Sequence, residues 1–356
     1  MTDVRPIRAS RPSRRSLLAG LSALTLAPAL VACGDDGSTD SAGAAPGDRK
    51  SEQGAFPVTI DHKYGSTTLQ KALTRVVCVG LTEQDALLAL GVVPVAVTKW
   101  FGDAPGYIFP WAADLLGEAA LPEVLDDTNG VQVEKVAALQ PDLIIGQYAG
   151  LTEQDYELLS KVAPTVAQPE GPDYRVPWDL AALNVAKAVG KGDQMETIVD
   201  GVKQQIAAAA AAHPEFRGKS AICVTPYEGL FVYGTGDPRT QMLVDLGFTF
   251  PSTVFRLDEA EFGESLSAER TSDLEQVDLT VWLDLEADSA VKAAFDETSG
   301  AVQGRWLDIS EDDGSYYVAQ SFVTPLSIPY LLERYVPQLA AAVDGDPSTV
   351  PPEAAA

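Results

Sequence analysis

From about residue 56 the chain alternates short unbroken apolar runs with longer stretches of helical period. The first run, residues 75–79 (Arg-Val-Val-Cys-Val), has no polar side chain between its β-branched positions, which predicts a strand covered on both faces. Thr82 and Asp85 follow with the spacing of an N-terminal cap, and residues 86–90 continue as a helix that Gly91 closes. Residues 92–97 predict the next strand, 134–139 a short helix stopped by Pro141, and 143–145 another strand. Thr152 and Asp155 repeat the cap and open a helix to Val162, after which 164–167 extend. This alternation predicts a parallel sheet with helices on both faces.

Two helical segments then interrupt the alternation. Residues 178–189 read as one helix ended at Gly190, and 193–212 as a second, with Met195, Ile198, Val199, Val202 and Ile206 at helical spacing. At about 1.5 Å per residue the second is long enough to cross a domain. Beyond it come strands at 220–225 and 230–233, a helix at 238–246 closed by Gly247, a short helix at 268–274, a strand at 279–283 and a closing helix at 325–342. The expected fold is α/β, two Rossmann-like lobes with parallel-type sheets joined by one long connecting helix. The expected division is 56–177 for the N-terminal lobe, 178–213 for the connecting helical segment, 214–345 for the C-terminal lobe and 346–356 for a disordered tail.

Ahead of the lobes the composition changes. Arg5, Arg8, Arg11, Arg14 and Arg15 stand against Asp3, and an apolar stretch broken by Pro28 follows from Leu17 to Ala32. Residues 1–32 therefore predict an export signal, too short and too weakly apolar for a stable membrane span. Arg14-Arg15, in Ser-Arg-Arg-Ser-Leu-Leu, reads as a twin-arginine signal. Leu30-Val31-Ala32-Cys33 resembles a bacterial lipobox, in which Cys33 becomes the lipid-bearing first residue. Residues 33–55, mostly Gly, Ser, Ala and Asp, read as a flexible tether. Together they predict a lipoprotein anchored to the outer face of the cell membrane.

The chain carries a net charge of −26, and loss of the basic signal leaves it more acidic still. That balance argues against nucleic acid or an anionic lipid surface as partner. Cys78 and Cys223 each sit inside an apolar run and are expected as buried thiols rather than a disulfide. With His62 and His213 as the chain's histidines, no cluster is expected to hold a bare metal ion.

Several segments then carry a family likeness. They are residues 75–80 (Arg-Val-Val-Cys-Val-Gly) with 86–97, 133–146 (Val-Glu-Lys-Val-Ala-Ala-Leu-Gln-Pro-Asp-Leu-Ile-Ile-Gly), 162–166 (Val-Ala-Pro-Thr-Val) and 266–270 (Leu-Ser-Ala-Glu-Arg). In this order and spacing the chain, over about residues 56–342, resembles the substrate-binding proteins of iron-siderophore, haem and cobalamin import transporters. The resemblance implies two lobes bridged by a rigid helix, with ligand in the cleft and delivery to an ABC permease dimer by a monomeric binding protein. It implies that Glu134 and Glu269, one on each lobe, dock onto arginines of that permease. It also implies that Trp100, Tyr148, Phe262 and Phe322 line the cleft. Trp111, Tyr227 and Tyr233 are further candidates by position alone.

A ferric siderophore already wraps its metal, so the site needs an apolar cup and a few donors, with no metal ligand and no cofactor of its own. Arg175, just before the connecting helix, is the first choice of cationic donor, and Arg239 and Arg256 compete with it. Some hydroxamate binders of the family carry an arginine shortly before the position of Glu134, where this chain reads Asp126-Asp127-Thr128-Asn129. The siderophore class therefore stays open. Haem, with Tyr148 or Tyr233 as axial ligand, and cobalamin are the alternatives. An exported enzyme is the rival from another class. Gly-x-Ser-x-Gly, His-Glu-x-x-His and a Walker loop are absent, so no catalysis is expected.

Overall fold

A computed structural model describes residues 51–257, 262–285, 289–310 and 314–349. The segment expected as a twin-arginine signal, Cys33 and most of the stretch expected as a tether lie outside these residues. The described chain opens with an antiparallel hairpin of β1 (Val58–His62) and β2 (Gly65–Leu69). The first lobe's sheet holds β3 (Val76–Cys78), β4 (Ala96–Thr98), β5 (Glu123–Leu125), β6 (Leu143–Ile145) and β7 (Thr165–Val166). Its order is β5-β4-β3-β6-β7, parallel throughout. Helices α1 (Glu83–Ala89), α2 (Pro110–Ala113), α3 (Val133–Ala138) and α4 (Glu153–Leu159) connect the strands.

The strands read as continuous apolar runs because both faces are covered. Val76, Cys78, Leu143 and Ile145 face one core, while Val77 and Ile144 face another with Val136 of α3 and Leu159 of α4. This is the period of two that a strand imposes. Cys78 is a free, buried thiol in the first lobe, as Cys223 is in the second. The strand expected at 92–97 begins later, at Ala96, since Pro94 has no N–H to give a ladder.

Helix α5 (Trp178–Val189) packs on the first lobe and ends at Gly190, whose φ is 71°. Helix α6 (Gly192–Ala212) is the strut between the lobes. Its Met195 and Val199 belong to the first lobe's core, and its Val202 and Ile206 to the second's. One continuous hydrogen-bonded helix rooted in two cores resists bending, because either end can move only by unpacking its core. Within the stretch expected as tether, Glu52 accepts hydrogen bonds from the Asp193 and Gln194 backbone N–H groups (3.1 and 2.9 Å), so it caps α6.

The second lobe holds β8 (Ala221–Pro226), β9 (Leu230–Tyr233), α7 (Pro238–Asp245) and β10 (Gly263–Leu266). A 3-10 run (Ala268–Gln276), β11 (Leu279–Leu283), α8 (Ala290–Asp296), α9 (Ser299–Val302) and β12 (Trp306–Ile309) follow, and α10 (Ser315–Ser321) and α11 (Ser327–Val343) close the chain. The sheet order is β10-β9-β8-β11-β12. The second sheet is mixed, because β8, β9 and β10 pair antiparallel while β8, β11 and β12 pair parallel. Residues 227–229 alone link β8 to β9, far short of the dozen or so residues a parallel crossover requires. Gly229 makes that turn at φ 107°, and a Cβ there would overlap the Leu266 carbonyl. Among the described residues no helix is long and apolar enough to cross a membrane.

Candidate ligand-binding site

In the first lobe the chain leaves β3 toward β4 on one side and later returns through β6 on the other. The carboxyl ends of β3 and β6 therefore flank the crevice where ligands of doubly wound sheets bind. Glu83 fills the bottom of that crevice. Its buried carboxylate accepts from the backbone N–H groups of Gln147 (2.5 Å), Tyr148 (2.7 Å) and Thr82 (3.2 Å), tying the two strand ends together. Burial pushes its pKa up against the pull of those bonds. Gly80 is what admits this arrangement, because a Cβ there would overlap the Glu83 carboxylate.

The cap expected from Thr82 and Asp85 does not form, whereas the matching pair Thr152 and Asp155 makes a complete capping box. Asp85 is instead buried between the lobes. It accepts from the Trp111 indole N–H (2.7 Å) and from the Thr324 hydroxyl of the second lobe (2.6 Å), both on one oxygen. Its other oxygen has no hydrogen-bond partner. Burial outweighs the two bonds and pushes its pKa up to about 6.

Beside this floor the lobes meet through aromatic rings. Trp100 lies 4.6 Å from Phe322, and Phe101 stacks on Phe322 at 5.7 Å. Tyr148 meets Phe322 edge-on at 6.1 Å and Tyr174 at 5.8 Å. The Arg239 guanidinium lies over Tyr233 (4.3 Å), Phe322 (5.5 Å) and Phe262 (5.7 Å). Arg239 is only 5% exposed, and Asp237, completely buried, accepts from its Nη1 at 2.9 and 3.1 Å. Burial alone would push the guanidinium's pKa down, but Asp237 reverses this and leaves it above its ordinary value. Nε of Arg239 has no hydrogen-bond partner.

Arg175 lies against Gly236, where any Cβ would overlap its guanidinium. Arg175 and Tyr148 also line an interlobe cavity of about 670 Å³ that reaches α5, α6 and α7.

Of the residues expected to line the cleft, Trp100, Tyr148 and Phe322 come together as one cluster, and Tyr233 and Phe262 surround Arg239. Trp111 is committed to Asp85 and stacks on Phe109 at 5.0 Å. Tyr227, 60% exposed, touches Phe231 at the β8–β9 turn. Arg256 is exposed. Sequence reasoning missed Phe101, Tyr174, Asp237 and the floor carboxylates Glu83 and Asp85. Asp237-Pro238 at the start of α7 was a visible signal, since the Asp237 side chain caps that helix as well as holding Arg239. Glu134 is exposed in the first turn of α3, and Glu269 is exposed in the first turn of the 3-10 run, where the Ser267 hydroxyl lowers its pKa. Among the described residues no group of His, Cys, Asp or Glu could hold a bare metal ion.

The comparisons with known proteins agree with this fold. A periplasmic solute-binding protein of Mycobacterium smegmatis superposes with a TM-score of 0.70 at 34% identity, over 80% of this chain and 98% of its own. PiaA of Streptococcus pneumoniae, solved in complex with ferrichrome, superposes with a TM-score of 0.69 at 26% identity, over 81% and 99%. The Fe(3+) dicitrate-binding periplasmic protein FecB of Escherichia coli is 27% identical over 211 residues, 56% of this chain. That match spans 64% of FecB, just under two thirds of its length. The family profile described as periplasmic binding protein matches residues 76–300. With that match over more than half its length, two lobes on one helical strut and a floor at the strands' carboxyl ends, the chain belongs to the periplasmic binding protein family.

Proposed function

We propose that this chain captures a ferric siderophore in the interlobe cleft and delivers it to an ABC import permease. The observation that carries the reading is Arg239. A guanidinium buried among aromatic rings, with one N–H unpartnered, is costly in the free protein. It becomes favourable when an anionic chelate oxygen meets it, and charge-assisted bonds of this kind are about twice as strong as neutral ones. The rings of Trp100, Tyr148, Tyr233, Phe262 and Phe322 supply the broad apolar wall that a wrapped metal complex requires. PiaA with ferrichrome and FecB with ferric dicitrate support the same reading. Burial pushes the Tyr148 and Tyr233 phenols up, which opposes the phenolate needed to ligate haem. The chelate supplies every metal ligand, and nothing in the cleft is asked to react, so the reading is of a carrier and not an enzyme.

Glu134 and Glu269 dock the lobes. Exposed charges in separate lobes orient a partner and speed encounter more than they add affinity. Glu134→Ala and Glu269→Ala are expected to leave chelate binding unchanged and to cut uptake severely in cells carrying the permease. Loss of chelate affinity in either variant would contradict the assignment. Cys33 bears the lipid. Cys33→Ala is expected to move the protein from the membrane fraction to the medium, and continued sedimentation with membranes would refute lipidation there. The test of the whole reading is a titration of the soluble protein with metal chelates.

A further inference from the structure

We propose that the interlobe cavity against α5 and α6 takes the apolar arm of an amphiphilic ferric chelate, whose metal-bearing head lies among the aromatic rings at Arg239. The inference rests on the siderophore reading and narrows it to one class of ligand. The cavity, about 670 Å³, lies within the ~300–1,000 Å³ of small-molecule sites. Ala86, Ala182, Val185, Ile206, Met242 and Val323 give it an apolar wall. The small residues matter, because Ala86 on α1, Ala182 on α5 and Ala207 on α6 leave open what larger side chains would fill. Ala207 begins the alanine run of α6, which helix propensity alone would treat as filler.

Two observations make this an arm site rather than a second independent site. First, Tyr148 and Arg175 line the cavity, while the Tyr148 ring also meets Phe322 of the aromatic cluster, so the two spaces share a wall. Second, the charges along the cavity are already engaged. Glu83 is held by backbone N–H groups, Lys203 pairs with Asp179 at 2.6 Å, and Asp245 accepts from Gln241 at 2.9 Å. Three carboxyl groups, Glu83, Asp179 and Asp245, against the two cations Arg175 and Lys203 leave the lining acidic by one charge when all are ionised, which disfavours entry of an anionic head such as that of a free fatty acid. A neutral hydrocarbon arm meets no such opposition.

The test is a series of ferric hydroxamate chelates that share one head and carry arms from acetyl to myristoyl, titrated by tryptophan fluorescence. Affinity is expected to rise about fourfold per methylene, the equivalent of ~0.8 kcal/mol, until the arm fills the cavity and the rise stops. In Ala207→Trp, a substitution at an exposed position of α6, the slope with arm length is expected to collapse. A flat series in the wild type, with the acetyl chelate bound, would overturn the arm site and leave the iron reading standing. Failure of every chelate to bind would remove both. Equal competition by monomyristoylglycerol and by the myristoyl chelate would assign the cavity to a free lipid and also overturn the proposal.

Discussion

Replacing Arg239 with methionine is expected to weaken ferric chelate binding by tenfold to a hundredfold and to destabilise the protein by about 3–5 kcal/mol. Both effects follow from one geometry. Asp237 is completely buried and accepts twice from the Arg239 guanidinium, so methionine leaves an uncompensated carboxylate in the interior. Methionine also removes the guanidinium that is proposed to meet the chelate among the rings of Tyr233 and Phe322. The double variant Asp237→Asn with Arg239→Met separates the two effects. It removes the unpaired charge, so most of the stability is expected to return while affinity stays low. Denaturant unfolding reads the first quantity and fluorescence titration the second. Normal chelate affinity in Arg239→Met would move the donor role to Arg175, which lies nearby against Gly236.

Asp85→Asn is expected to raise stability at neutral pH and to flatten its pH dependence. The carboxyl titrates near 3.8 in the unfolded chain and at about 6 when buried between the lobes. Below about pH 4 both states hold the proton and the group contributes no penalty. As pH rises from 4 to 6 the unfolded chain ionises while the native state does not. Stability falls by up to ~1.4 kcal/mol per pH unit over that window, roughly 3 kcal/mol in all. Asparagine keeps the acceptor that Trp111 and Thr324 use and carries no charge to desolvate. Thermal unfolding at pH 4 and pH 7.5 checks this. The wild type should lose more stability between those values than Asp85→Asn, and an equal loss would place the titrating group elsewhere.

Why the protein tolerates Asp85 follows from where it sits. It accepts from the second lobe across 239 positions of sequence, so it fixes how the lobes meet beside the cleft. Two residues of the floor, two positions apart on α1, thus have separate tasks, Glu83 holding β3 to β6 and Asp85 holding the first lobe to the second.

The parts of this architecture legible in the sequence were those written in local periods. The fully apolar runs at Val76–Cys78 and Leu143–Ile145, and Leu279–Leu283 with Thr280 as its one polar residue, are strands buried on both faces. Helices α5 and α6 were legible from spacing and from Gly190. The antiparallel half of the second sheet was harder to see, since β10 has intermediate or exposed positions throughout and no apolar run to announce it. Side-chain roles set by distant contacts were not legible at all. Thr82 and Thr152 head the same four-letter pattern, yet one is a cap and the other precedes a carboxylate that turns toward the opposite lobe. In the site, Trp100, Tyr148, Phe262 and Phe322 were expected from the family resemblance, and the structure gathers Trp100, Tyr148 and Phe322 into one cluster. Arg239 stood as a competitor to Arg175, because only the fold seats its guanidinium among Tyr233, Phe262 and Phe322, rings from three separate stretches of the chain.

The most direct test of capture is a fluorescence titration of the soluble form lacking residues 1–33 against a ferric hydroxamate, a ferric catecholate, ferric citrate, haem and a metal-free siderophore. Trp100, in contact with Phe322, and Trp178, on the cavity wall, are the reporters. The account predicts saturable quenching by a ferric chelate and weaker or no response to the same chelator without iron. A response to haem alone, or silence toward every ferric chelate, would contradict it.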